Sequence, residues 1–115
     1  MNEYVIYLVV RKDLKMGVGK IAAQCGHAVE FLSLKCSKEI MQEYVTSGHT
    51  KVVLKVPDEK DFSTLVEQCI NYKVPFEVVV DAGRTQIAPN SATVVGIGPI
   101  RKMDAKTLVG GLKLL

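Results

Sequence analysis

Three things are scarce in this 115-residue chain, and each scarcity removes a class of protein. Long apolar runs are missing: none approaches the ~20 residues that a membrane-spanning helix needs. The longest early run, "YVIYLVV" from Tyr4 to Val10, is bracketed by charged Glu3, Arg11 and Lys12, which excludes a secretory signal. It begins almost at the start of the chain, so any targeting leader of a longer product would lie outside it. Cysteine is sparse as well. Cys25, Cys36 and Cys69 form no C-x-x-C pair and cannot all be bridged, which points to a reducing, cytoplasmic setting rather than a disulfide framework. Cys25 and His27 have no second ligand pair to join them, because the remaining histidine is the isolated His49, so no metal site is expected. Excess charge is also small: 15 Lys and Arg against 12 acids give +3, far from a polybasic nucleic-acid binder.

What is present is an ordinary globular composition, 48% hydrophobic and 23% charged, sized for a single domain over residues 1–115. There is no linker, repeat or low-complexity tract. "YVIYLVV" reads as a buried strand, being short, apolar, and rich in β-branched and aromatic residues. Residues 20–35 read as a helix whose apolar stripe is Ile21, Cys25, Ala28, Val29 and Leu32. Ser37 caps a second helix that Gly48 ends. "KVVLKV" (51–56) is a strand, Pro57-Asp58 opens a third helix, and "FEVVVD" (76–81) is a strand. Pro89-Asn90 turns the chain into a strand over 92–99, and Asp104 caps a last helix that ends at Gly110-Gly111 before the apolar tail "LKLL". The order β-α-α-β-α-β-β-α predicts a three-layer α/β domain: a four-stranded mixed β-sheet with helices on both faces. Sites in such sheets form outside the carboxyl ends of the parallel strands, which here deliver Arg11, Val56-Pro57 and Asp81.

The stretch "LKMGVGKIAAQCGHA" (14–28) sits at the first of these ends. It fails as a Walker A loop, because Leu14 stands where the first glycine belongs and Ile21 where the Ser/Thr belongs. It matches the dinucleotide fingerprint as Gly17-x-Gly19-x-x-Ala22, but the confirming acid would fall inside the second helix. The glycines read instead as easing a tight turn, a hinge into the helix. At about 100° per residue, Lys20, Gln24 and His27 share one strip that rises from the helix start, and Phe31 continues it. Cys25 points about 160° from His27, so the two form no nucleophile–base pair. Arg11, Lys12, Lys15 and Lys20 make a basic rim with Asp13 the only acid among them. Such a rim holds phosphates or is simply a solvated loop. "DAGRTQIAPN" (81–90) adds Asp81, Arg84, Thr85 and Gln86 to the same crevice. Carboxylate, imidazole and cation together are the parts for activating water and stabilising an oxyanion, unless Asp81 and Arg84 are only a local ion pair. No G-x-S-x-G elbow is present.

"VVRKDLKMGVGKIAAQCGHA", "KVVLKV", "DAGRTQIAPNSATVVGIGP" and the terminal "LKLL" resemble the archaeal/eukaryotic type 2 peptidyl-tRNA hydrolase family, nearly from end to end. The resemblance implies a compact α/β enzyme that cleaves the ester between a nascent peptide and the 3′ ribose of tRNA. It also implies no cofactor and a homodimer. Lys20, Gln24, His27, Asp81, Thr85 and Thr93 match the positions at which that family's active site is placed. Gly26 departs from the pattern, which favours Ala or Ser there. On this reading His27 or Asp81 deprotonates the attacking water, and Lys20 stabilises the oxyanion or a 3′-terminal phosphate. Thr85, Gln86 and Thr93 orient the ester or the terminal adenosine, while Arg84 with Arg11, Lys12 and Lys15 holds tRNA phosphates. The competing expectation is a non-catalytic tRNA- or nucleotide-binding module that uses the same rim.

Overall fold

β1 (Tyr4–Arg11) is buried from Val5 to Arg11, as a run apolar on both faces must be. The computed structural model describes residues 3–82 and 91–115. In it β1 pairs in parallel with β2 (Lys51–Val56) and antiparallel with β4 (Ala92–Arg101), which in turn pairs antiparallel with β3 (Phe76–Val80). β4 runs against both neighbours, so β1, β2 and β3 all point the same way and their carboxyl ends emerge at one edge.

The sheet has five strands in the order β3-β4-β1-β2-β5, not four. The extra strand is β5 (Lys113–Leu114), inside the tail that the sequence shows only as apolar. Two residues carry no readable period. They are recruited because the outer edge of β2 offers unpaired N–H and C=O groups. Leu54 pairs with Leu114, Lys55 with Lys113, and the Leu115 N–H donates to Val53 O at 3.0 Å.

Helices cover both faces, as the element order predicts. α1 (Val18–Lys35) and α2 (Lys38–Thr46) pack with Ile6, Leu8, Val10, Val79 and Val94. α3 (Glu59–Asn71) and α4 (Lys102–Val109) pack with Val5, Tyr7, Val9, Val95 and Ile97. Alternate residues of β1 therefore feed opposite cores. Ser37 and Asp58 cap α2 and α3 by accepting from Ile40 N at 3.2 Å and Asp61 N at 2.8 Å. Gly48, at φ 106°, follows the end of α2 in the left-handed conformation that glycine favours. Asp104 is not a cap. β4 runs straight into α4, so Arg101 stands at the N-cap and Asp104 accepts from its Nε at 3.0 Å within the first turn.

One glycine sets the height of α1 above the sheet. A Cβ on Gly96 of β4 would lie 2.9 Å from Leu32 Cδ1 and 3.0 Å from Ala28 Cβ. Its absence lets the middle of α1 close onto β4, which brings the first turns of the helix down to the carboxyl edge.

Candidate active site

α1 begins at Val18, two residues earlier than its periodicity suggests, with Gly17 at the N-cap in ordinary extended backbone (φ −70°, ψ 164°). The glycines are thus not a strained hinge. The left-handed residue of this turn is Lys15, at φ 51°. A Cβ at Gly17 or Gly19 would meet no atom within 4 Å, so these positions leave the mouth of the helix open.

From the first turn of α1, Lys20 Nζ donates to Asp81 Oδ1, a direct ammonium–carboxylate pair between helix start and strand end. Asp81 is 1% exposed and the Lys20 side chain 19%. The Asp81 backbone N–H donates to Ser91 O at 2.8 Å, which ties the exit of β3 to the approach of β4. A buried carboxylate needs such partners, because taking a charge out of water without them costs several kcal/mol (about 3–5 when one partner of a buried pair is removed).

One turn further, Gln24 Nε2 donates to Thr93 Oγ1 at 2.8 Å, and that hydroxyl donates to Val79 O at 3.1 Å. A bulge produces this contact. Val79 pairs with Val94 and Val80 with Ala92, so Thr93 is the extra residue of β4 and its side chain meets α1. Gln24 and Thr93 are both buried, at 4% and 0% exposure. Gln24 thus parts from His27, with which helical register places it on one strip: Gln24 is buried and His27 is exposed. α1 tilts its Gln24–Ala28–Leu32 line onto the sheet, and the amide survives burial because a hydroxyl awaits it.

His27 stays on the outer side. It is exposed, and its ring stacks on Phe31 with centroids 6.1 Å apart and planes 10° apart. Among the described residues no hydrogen bond joins it to Lys20 or Asp81. The structure thus couples Lys20 to Asp81 and Gln24 to Thr93, and leaves His27 on the exposed flank of the same helix.

Arg11 corrects the expected basic rim. It is 7% exposed and already occupied. Nε and Nη2 clasp both Asp13 oxygens at 3.1 and 2.7 Å, and Nη1 donates to Ala92 O at 3.1 Å. Its guanidinium fastens the end of β1 to the start of β4 instead of reaching for phosphate. The mutual hydrogen bond raises the Arg11 pKa and lowers that of Asp13. Lys12 and Lys15 are exposed as expected. Arg84, Thr85 and Gln86, with Gly83 and the Pro89-Asn90 turn, lie outside the described residues. Sequence reasoning passed over Lys55, near the carboxyl end of β2, and Lys113, which reaches this edge only through the pairing of β5. Among the described residues no group of three His, Cys, Asp or Glu side chains is placed to hold a metal ion.

An α/β sheet whose parallel strands end on a buried lysine–carboxylate pair, flanked by an amide–hydroxyl pair, defines a three-layer α/β domain with a buried polar cluster at its carboxyl edge. Comparison with known proteins narrows this class: the family model for peptidyl-tRNA hydrolase PTH2 matches residues 4–115, and the chain belongs to that family. It is 47% identical over 119 residues to peptidyl-tRNA hydrolase 2, mitochondrial, of Bos taurus, covering 98% of this chain and 65% of that protein. The human protein of the same name is 43% identical with the same coverage. The peptidyl-tRNA hydrolase of the archaeon Sulfurisphaera tokodaii is 39% identical over 94% of this chain and 95% of its own length. The chain thus spans about two-thirds of the length of the mammalian relatives and nearly all of the archaeal one.

Proposed function

We propose that this protein hydrolyses the ester between peptide and tRNA in peptidyl-tRNA, releasing free tRNA and peptide. Family membership supports the reading, and the observation that carries it is the buried Lys20–Asp81 pair at the mouth of α1. Water attacks the ester carbonyl, and negative charge gathers on the carbonyl oxygen. Lys20, held at the open start of a helix whose backbone N–H groups point outward, is the group that meets that charge. Asp81 orients Lys20, and the Gln24–Thr93 bond fixes the helix against β4 so that the pair keeps its place. The proton of the attacking water goes to His27 or to Asp81. Thr85 and Gln86 orient the ester or the terminal adenosine on this reading, and Arg84 with Lys12 and Lys15 holds tRNA phosphates. No cofactor takes part.

The test is ester cleavage by Lys20→Ala, Asp81→Asn and His27→Ala proteins, with a chelator control and circular dichroism to check folding. Removing a preorganised group that stabilises developing charge costs about 10²–10³ in kcat, and Lys20→Ala is expected to show it. Loss of turnover in His27→Ala assigns the base to His27, and retained turnover assigns it to Asp81. Wild-type turnover in all three variants sinks the proposal. Salt-dependent tRNA binding without cleavage by the wild type would establish the binding-module alternative.

The reading includes a homodimer and a cytoplasmic location. Exposed Phe31 and Leu34 on α1, 37% and 79% accessible, support the first, and three free cysteines support a reducing compartment. Among the described residues no helix is long and apolar enough to cross a membrane.

A further inference from the structure

With Arg11 internally paired, the phosphate-binding rim needs other cations, and the β2–β5 edge supplies them. Lys55 and Lys113 are directly opposed in the antiparallel register. Residues so placed stand on the same face with Cβ atoms about 4.5–5.5 Å apart, and like charges there repel. Among the described residues, Lys12, Lys55 and Lys113 take part in none of the ion pairs formed. All three line a cavity of about 510 Å³ at the carboxyl edge, walled by Val56 and Leu112. Two acids border it. Asp13 is held by Arg11, which leaves only exposed Asp61, in the first turn of α3, to offset three ammonium groups.

The placement is continuous with the candidate active site. Lys55 pairs across β1 with Val10, directly before Arg11, after which the chain enters the 3-10 turn Lys12–Leu14 and then Lys15. Lys20 follows at the start of α1. The cavity between α3 and the β3–β4 strands is less favourable to phosphate: its wall carries Glu59 and Glu67, and its one cation, Arg11, is already paired with Asp13 and Glu59.

We infer that the Lys12–Lys55–Lys113 cavity is a phosphate-binding subsite for the RNA backbone of the substrate, set apart from the ester. The identity of that RNA as tRNA rests on the function proposed above. The bound phosphate supplies the counter-charge that the opposed lysines lack. Arg11 and Asp13 frame the subsite without touching the ligand.

The experiment titrates fluorescently labelled, deacylated tRNA into the full chain across a salt series. The proteins are wild type, Lys55→Gln/Lys113→Gln, and Lys38→Gln as a single-charge control on α2. Two lost phosphate contacts should weaken binding about 10-fold and reduce the slope of log K against log salt by roughly 1.8, at about 0.9 per contact. The control should match wild type. With peptidyl-tRNA, KM should rise in the double variant while kcat stays unchanged. The thermal midpoint should equal or exceed that of wild type, since a repulsion has been removed. If the double variant fails to fold, Lys113→Gln alone should give about half the slope change. Unchanged affinity and slope overturn the inference, as does an equal loss in the Lys38→Gln control. The two proposals separate cleanly. A wild type that binds tRNA through Lys55 and Lys113 but leaves the ester intact removes the hydrolase reading and keeps the subsite.

Discussion

At the scale of residues, the chemistry of a side chain and its burial disagree most at Arg11. By type it belongs with Lys12 and Lys15 on a solvated rim. In the fold it is covered, because β1 ends beneath the approach to β4 and a guanidinium can serve Ala92 O and Asp13 at once. A pH dependence follows. Arg11's hydrogen bond holds the Asp13 carboxyl below its ordinary range when folded, so the folded state binds fewer protons there than the unfolded chain. The stabilisation is complete above the unfolded carboxyl value near pH 4 and is lost as the pH falls from there through the lower folded value. Asp13 is about a third exposed, so solvent screening keeps the effect small. Urea unfolding should find Asp13→Asn less stable than wild type by about 0.5–1 kcal/mol at pH 7, with the gap closing as the pH falls below the ordinary carboxylate range. A gap that stays constant with pH would assign the loss to packing instead of charge.

At the scale of elements, hydrophobic period was enough to find four helices and four strands, because each carries at least five residues of consistent patterning. It was enough, too, to put Lys20 and Asp81 in one crevice, since strand direction decides which ends meet. It could not show that Thr93 faces α1: a single extra residue in β4 reverses its side, and nothing in "ATVVGIGP" announces the bulge. Nor could it show that Gln24 is buried, because helical register gives direction but not the tilt at which α1 settles over Gly96. α1 also carries a removable weakness. Gly26 lies in the exposed helix interior, where an added Cβ meets nothing within 4 Å. Gly26→Ala should stabilise the protein by roughly 0.5–1 kcal/mol and raise Tm by about 3–6 °C. Calorimetry that found no rise would overturn this prediction.

At the scale of the whole molecule, the three-layer arrangement was readable from element order, but the width of the sheet was not, since β5 exists only by completing an edge. Assembly belongs to this scale as well. His27, Phe31 and Leu34 recur at i, i+4 and i+7 along the outer face of α1, with Phe31 and Leu34 exposed there. Sedimentation equilibrium should return twice the 12.6 kDa chain mass for wild type and the single-chain mass for Leu34→Glu. A dimer that survives Leu34→Glu together with Phe31→Glu would move the interface elsewhere.

Strand order has a metric consequence. Asp81 leaves β3, Lys55 lies on β2 and Lys113 on β5, with β4 and β1 in between. Neighbouring strands are about 4.8 Å apart, so the carboxylate and the lysine pair stand roughly 14–19 Å from each other across the sheet. At about 3.4 Å per nucleotide step of a helical strand, that span is on the order of four to six steps. If the proposed function and subsite both hold, the backbone hydrogen-bond ladder acts as a ruler, setting how far from its 3′ end the RNA is gripped when that end reaches Lys20.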